Sequence, residues 1–254
     1  MTRYVTTAAI VAGFIGLWTV TGHGQLAPGA ATKLLIQDVG LDGIDRGLRD
    51  QDPPREARTG TTERRFRDAN GDTLPYLRPD ANDVARWGER IAAGAGLRVG
   101  LVWKGSTGFE NDADRSLPSL AILAPLAAVP GVQWFSLQVG AGQDEARQPP
   151  PGMTITPLSD GFTDFADTAA ALMHLDLVIA VDTAVAHLAG ALGRPCWVLL
   201  PAYKPDWRWL AGRTDSPWYP GVMRLFWQPR MGDWAPVVQA LAQALAERVA
   251  QTPG

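Results

Sequence analysis

The stretch LDLVIAVDTAVAHLAGALGRPCWVLL, residues 175–200, indicates the fold of this chain most clearly. Its apolar run at residues 175–181 predicts a buried strand, and its small residues at 184–192 predict a helix that Gly193 ends. A second apolar run at residues 196–200 predicts the next strand. Asp182 and Thr183 stand where the first strand meets the helix. Because a helix N-terminus offers free N–H groups and a positive dipole end, this unit indicates a phosphorylated or nucleotide ligand.

The length and composition of the chain limit the kinds of protein it can be. The chain has 254 residues, enough for one large domain or two small ones, and 46% of them are hydrophobic, which allows a buried core. Its net charge of -3 gives no basic excess of the kind that nucleic-acid binding requires, so we expect no nucleic-acid partner. The single cysteine, Cys196, lies in a predicted buried strand and is expected to be a core residue. Neither cysteines nor His/Asp/Glu spacings indicate a metal site.

The first 73 residues differ from the rest. An apolar run at residues 5–20 is short and rich in Gly and Thr for a membrane span, and it is either a signal or anchor, or a piece of a folded domain or extended start. Residues 42–72 hold 15 charged residues of 31, a composition typical of a solvated or disordered linker. We therefore predict an atypical N-terminal region, residues 1–73, before a Rossmann-like domain, residues 74–254.

From residue 97 onward, predicted strands and helices alternate. Strands are predicted at residues 97–103, 132–138, 153–158, 175–181, 196–200 and 222–226. Helices are predicted at residues 81–93, 117–129, 164–174, 184–192 and 233–249. Alternation with short connections is typical of an α/β fold with a doubly wound parallel sheet.

Topology then selects candidate site residues, because right-handed crossovers place the carboxyl ends of all strands on one edge, where ligands bind. The loops at that edge carry Lys104, Gly105, Ser106 and Arg115 after the first strand, Gln138 after the second, Asp182, Thr183 and Ala184 after the fourth, and Tyr203, Lys204, Asp206, Trp207 and Arg208 after the fifth.

Several of these residues have two interpretations. Lys104 is either a diphosphate partner on a glycine-containing turn or a solvated lysine, and its turn lacks the spacing of an ATPase P-loop. Arg115 either clamps a phosphate or forms a structural ion pair. Asp182 and Thr183 either cap the helix alone or also bind ligand. His187 lies four residues after Thr183 on the same helix face, where it supports the site or packs in the core.

The loop at residues 201–220, rich in aromatic and charged residues, likewise has two interpretations. It is either a packed surface hairpin or the wall of a ligand site, in which rings stack on a base and arginines hold a ribose or phosphate. We favour the ligand wall.

Motifs in a consistent order carry a resemblance to a known family. They are GLVWKG (100–105), Asn111-Asp112 with Arg115-Ser116, WFSLQ (134–138), DFADTAA (164–170), DLVIAVDTAVAHLAGALGRP (176–195) and PDWRWL with DSPWYP (205–220). From about residue 74 to 246 the chain resembles the C-terminal half of the heptosyltransferase-like glycosyltransferases (family 9 type). It is most similar to the version that follows tetratricopeptide repeats.

This resemblance implies the C-terminal, donor-binding half of a glycosyltransferase B fold, with the acceptor in the cleft. It implies that Thr183, Ala184 and the helix N-terminus hold the donor diphosphate, that Asp182 faces the sugar or acceptor, and that His187 supports this loop. Lys104 and Gln138 would lie near phosphate or nucleoside. The donor substrate is a nucleotide diphosphate sugar, and neither a metal nor another cofactor is expected.

Three functions are carried forward as hypotheses. The first is a cytoplasmic glycosyltransferase that moves a sugar from a nucleotide diphosphate sugar to a saccharide or other acceptor hydroxyl. The second is a non-catalytic nucleotide-sugar-binding module or truncated remnant, since residues 1–73 lack the alternating strands of the family's acceptor domain. The third is a nucleotide-sugar epimerase, which no set of residues requires. A peripheral membrane contact and a separate N-terminal-domain partner both stay open.

Overall fold

A computed structural model describes residues 34–36, 74–75, 77–91 and 94–251, with only the backbone given for 34–36 and Trp207. The predicted apolar leader and the predicted charged linker lie outside these residues. Strand β1 (Leu34–Ile36) pairs antiparallel with β2 (Leu77–Pro79), with Leu34 opposite Pro79. β1 precedes the domain boundary predicted at residue 73 and pairs with a strand that follows it, and the boundary itself stays a prediction.

Six parallel strands form the main sheet, as the sequence pattern predicted. They are β3 (Leu97–Val102), β4 (Val132–Ser136), β5 (Ile155–Pro157), β6 (Leu177–Val181), β7 (Cys196–Leu200) and β8 (Met223–Trp227). Their order is β5-β4-β3-β6-β7-β8, and all five neighbouring pairs run parallel. Chain order therefore reverses between β3 and β6, which is the point where a doubly wound sheet opens a ligand crevice.

Helices cover both faces of this sheet. They are α1 (Ala81–Arg90), α2 (Asp112–Arg115), α3 (Phe165–Leu172), α4 (Ala184–Ala191) and α5 (Ala235–Gln251). The helix predicted at residues 117–129 is present as a 3-10 helix, Leu120–Ala128, with Pro125 inside it. Because proline lacks an N–H and its ring clashes with the carbonyl four residues earlier, a regular α-helix is disfavoured there.

The sheet divides the core into two layers. Val178, Ala180 and Val198 point to the layer that contains α3 and α4, while Leu177 and Ile179 point to the layer that contains α5 and the 3-10 helix. All residues of β6 and β7 are buried, which explains why both strands are continuous apolar runs in the sequence. Cys196 lies in the first layer, where burial raises the pKa of its thiol.

Within the part of the chain that the structure describes, no helix has both the length and the apolar character needed to span a bilayer.

Candidate functional site

A cleft of about 460 Å³ opens beyond the carboxyl ends of β3, β6 and β7. Three loops line it, with residues Gly108, Phe109, Glu110, Asn111, Arg115, Asp182, Lys204 and Asp206. Of the candidates selected from the sequence, the structure brings Arg115, Asp182, Lys204 and Asp206 together here. They come from three segments that are far apart in the chain, and the parallel sheet is what unites them.

Asp182 is the buried carboxylate of the cleft. It directly follows β6, whose apolar residues continue into the core, and only 6% of its surface is exposed. Burial, reinforced by the nearby charge of Asp206, raises the pKa of Asp182 to about 6. The Trp209 indole, Arg115 and the Asp206 backbone act in the opposite direction. The result is a carboxyl group whose pKa lies close to neutral pH.

His187 lies behind Asp182, not on the wall of the cleft. Its Nδ1 is 3.0 Å from the Tyr219 hydroxyl, and its ring stacks on Trp209 at a centroid distance of 4.8 Å. The Nε2 atom is 4.0 Å from Asp182 Oδ1, beyond hydrogen-bond distance. Burial lowers the pKa of His187, so the imidazole is neutral at pH 7. His187 therefore packs against the base of the site.

Thr183 occupies the N-cap position of α4 by its backbone, which is extended with φ of -139°, but its side chain makes no capping hydrogen bond. Among the described residues the Thr183 hydroxyl has no hydrogen-bond partner, although its oxygen is buried. The first N–H groups of α4, starting at Ala184, are thus left without a side-chain cap. Helix capping alone does not account for this residue.

Arg115 ends α2 beside the glycine turn that follows β3. Its guanidinium lies 4.0 Å from the centre of the Phe109 ring, and its Nε is 3.4 Å from Asp112 Oδ1. Gly105 permits this arrangement, because an added Cβ would collide with Asp112 and Arg115. Ser116 accepts a hydrogen bond from the Gly105 N–H and donates one to Asp112. The turn is therefore fixed by four residues, of which sequence analysis singled out Gly105 and Arg115 as ligand contacts.

Lys104, Gln138 and Ser106 lie in the same group of loops but do not line the cleft. The Lys104 ammonium is 2.9 Å from Glu145 Oε1. Gln138 is buried, and its amide accepts from the Trp103 and Lys104 N–H groups and donates to the Lys104 and Val139 carbonyls. Gln138 thus ties the loop after β3 to the loop after β4. The ligand roles predicted for these residues stay predictions.

The loop after β7 supplies the third side of the cleft. The Asp206 carboxylate accepts hydrogen bonds from the backbone N–H and the guanidinium of Arg208 at 2.9 and 2.7 Å. This loop contacts the loop after β3, since the Asn111 amide donates to the Lys204 carbonyl at 3.0 Å. The side chain of Trp207 lies outside the described residues.

Several residues of the site were missed in the sequence. Tyr219 and Trp209 hold His187, while Phe109, Glu110 and Asn111 line the cleft. The loop at residues 201–220 supplies Lys204 and Asp206 to the cleft, while its buried rings Trp209 and Tyr219 contact His187. The stacking of its rings on a base stays a prediction. No sequence signal pairs Tyr219 with His187, because the two residues are 32 positions apart and share no motif.

Chemically, the cleft combines two cations, Arg115 and Lys204, with the carboxylates of Asp182 and Asp206, and Asp182 adjoins the uncapped N-terminus of α4 in the chain. These groups suit a polar ligand that carries both an anionic group and hydroxyls. A search restricted to the described residues finds no group of three or more His, Cys, Asp or Glu side chains that could hold a metal ion.

Parts of this chain are similar to known proteins in sequence or in structure. Protein FlbA of Caulobacter vibrioides is 32% identical over 183 residues, which make up 68% of this chain and 29% of FlbA. E. coli ADP-heptose LPS heptosyltransferase II is 15% identical with a TM-score of 0.45, over 68% of this chain and 53% of that structure. E. coli heptosyltransferase WaaC with ADP-2-deoxy-2-fluoro heptose is 18% identical with a TM-score of 0.46, over 71% and 52%. The chain spans about half the length of these structures and under a third of FlbA.

The segment at residues 142–205 contains β5, α3, β6, α4 and β7, and thereby Asp182, Thr183 and His187, and it ends within the loop after β7. This segment matches glycosyltransferase family 9 (heptosyltransferase). The resemblance of the chain to the heptosyltransferase-like glycosyltransferases, inferred from its motifs, is therefore confirmed.

Proposed function

We propose that the cleft binds a nucleotide diphosphate sugar and that the protein transfers the sugar to an acceptor hydroxyl. The observation that carries this proposal is the arrangement around Asp182, a buried carboxylate beside an uncapped helix N-terminus and Arg115. The match of residues 142–205 to family 9 supports the same conclusion.

The donor diphosphate would lie against the start of α4. There the N–H groups beginning at Ala184 and the Thr183 hydroxyl can donate hydrogen bonds, while Arg115 supplies a positive charge. Groups that are already oriented toward a developing charge stabilise a leaving diphosphate without further reorganisation. Asp206 and Arg208 would hold the loop that borders the nucleoside side of the cleft.

In the transfer step, Asp182 would accept the proton of the acceptor hydroxyl while the oxygen of that hydroxyl attacks the anomeric carbon of the donor sugar. The bond between that carbon and the diphosphate oxygen breaks, and the electron pair leaves with the nucleoside diphosphate. A general base works best when its pKa lies near the working pH. The pKa of Asp182, raised to about 6, meets this condition, so we expect activity to rise with pH through about 6. His187 would act through Asp182 as a positioning residue.

The six-stranded domain would form the donor half of a glycosyltransferase B enzyme, with acceptor contacts supplied by a second domain. The acceptor would be a saccharide or another hydroxyl compound, and the reaction would take place in the cytoplasm, where nucleotide sugars are found.

The direct test is release of nucleoside diphosphate from ADP-, UDP- and GDP-sugars in the presence of saccharide acceptors. We expect Asp182→Asn to lower kcat at least about 100-fold, in the range typical of a lost general base, while donor binding changes little. Asp144→Asn, an exposed carboxylate outside the cleft, is the matched control. Donor binding without release for any acceptor would support a binding module, and full activity of Asp182→Asn would contradict the assigned role.

A further inference from the structure

An ion pair crosses the mouth of the cleft. The Lys204 ammonium, from the loop after β7, is 3.5 Å from Glu110 Oε1, from the loop after β3. Both residues line the cleft. Lys204 is one of the candidates selected from the topology, whereas Glu110 is not, and the family resemblance assigns a role to neither. The pair therefore joins two of the loops that line the cleft.

The two lysines of the described chain have different environments. Lys104 is held by Glu145 at 2.9 Å, and Glu145 also accepts the Leu120 N–H, so that this pair is part of the framework. Lys204 has 55% of its side chain exposed and faces the cleft. Of these two lysines, Lys204 is the one placed to meet an anion in the cleft.

Backbone contacts fix where the Lys204 side chain starts. The Asn111 amide donates to the Lys204 carbonyl at 3.0 Å, and Lys204 has a φ of 45°, in the left-handed region that lysine rarely adopts. Strained backbone of this kind persists when the surroundings determine it, and it concentrates at functional sites. The Asn111 contact is made to the Lys204 backbone, so it does not require the Glu110 side chain to stay beside the Lys204 ammonium.

Glu110 itself is held weakly. Its side chain is 89% exposed, and the pair with Lys204 is longer than a charge-assisted hydrogen bond. Exposed ion pairs of this kind contribute little to stability because water and salt screen them. A diphosphate carries more charge than one carboxylate and can accept several hydrogen bonds, so it can replace Glu110 as the partner of Lys204.

We propose that Lys204 is an anion-binding residue of the cleft and that Glu110 is a placeholder, which holds Lys204 until the diphosphate of a nucleotide ligand displaces it. This inference rests on the proposed function. It makes Glu110 a group that weakens ligand binding, which is the opposite of what a ligand-contacting carboxylate would do.

The test is calorimetric titration of the full chain with inorganic pyrophosphate and with ADP, UDP and GDP. We expect Glu110→Gln to bind pyrophosphate and the bound nucleotide about 3- to 10-fold more tightly, and Lys204→Met to bind them at least about 5-fold more weakly. In the Lys204→Met background, Glu110→Gln should have less than half of its effect on log Kd. Glu247→Gln, an exposed glutamate on α5, is the charge-matched control and should bind like the wild type.

Four outcomes would overturn the inference. Weaker binding by Glu110→Gln would make Glu110 a ligand contact. An equal effect of Glu110→Gln with and without Lys204 would reduce its role to general repulsion. Nucleotide binding that is unchanged in both single variants would remove Lys204 from the site and leave the proposed function standing. If no folded variant binds any of these ligands, both the role of Lys204 and the proposed function are contradicted, because the proposed function requires a bound nucleotide.

Discussion

At the scale of single residues, the site depends on a carboxylate placed where it destabilises the fold. Asp182 directly follows a strand whose side chains are all buried, and charged groups are costly in such surroundings. Proteins retain groups of this kind where activity requires them. Because this cost raises the pKa of Asp182 in the folded state, the stability of the protein depends on pH.

We therefore predict a pH-dependent difference between the wild type and Asp182→Asn. Because the pKa of Asp182 is raised from 3.8 to about 6 on folding, the folded state keeps a proton that the unfolded state loses. The stabilisation from that proton is complete below about pH 4 and is lost as pH rises through 6. Asp182→Asn should match the wild type at pH 4 and exceed its free energy of unfolding by about 3 kcal/mol at pH 7.5.

Urea denaturation of both proteins at pH 4, 5, 6 and 7.5 measures this difference. A constant difference across the series would show that Asp182 titrates near its ordinary value and would remove the argument for a general base.

At the scale of elements, α4 and the loop before β8 fit together without spare room. Gly190 lies in α4, where an added Cβ would be 2.5 Å from the Tyr219 ring and 2.6 Å from Met223 Cε. Tyr219 in turn holds His187 through its hydroxyl. The position of His187 is thus set by the packing of one helix against a loop that follows it in the chain.

A methyl group at Gly190 should accordingly disturb the packing of α4 against Tyr219 and, through Tyr219, the position of His187. We expect Gly190→Ala to lower the free energy of unfolding by about 1–3 kcal/mol, the usual cost of overpacking a core. Gly108→Ala is the control, because its methyl group would lie 3.7 Å from Ser106 Oγ, an ordinary van der Waals distance, and the substitution should change stability by less than about 0.5 kcal/mol. Unchanged stability of Gly190→Ala would mean that Tyr219 moves freely, against its proposed hold on His187.

The elements themselves were largely predictable from the sequence, whereas the contacts between their side chains were not. Apolar runs of five residues bounded by glycine, proline or acids located β6 and β7, because strands buried on both faces have no polar alternation. Pro125 was visible in the sequence, and it turned the helix before β4 into a 3-10 helix. The pairing of Lys104 with Glu145 was not predictable, since it joins two loops with no shared pattern.

At the scale of the whole molecule, the order of the strands does most to create the site. With β3 and β6 adjacent and all strands parallel, the loops that carry Arg115, Asp182 and Lys204 open on one edge. This consequence followed from the alternation of strands and helices alone, so Asp182, Arg115 and Asp206 could be selected before any contact was known. Which of the two lysines, Lys104 or Lys204, lines the cleft could not be predicted from the sequence, because that depends on where Glu145 and Glu110 lie.

The binding of a nucleotide diphosphate at this edge of the sheet is tested by titration calorimetry of ADP, UDP and GDP into the wild type, Arg115→Met and Thr183→Val. We predict that at least one nucleotide binds with 1:1 stoichiometry, at least about 10-fold more weakly to Arg115→Met and measurably more weakly to Thr183→Val. Absence of binding by the folded wild type, or equal affinity in all three proteins, would contradict the account.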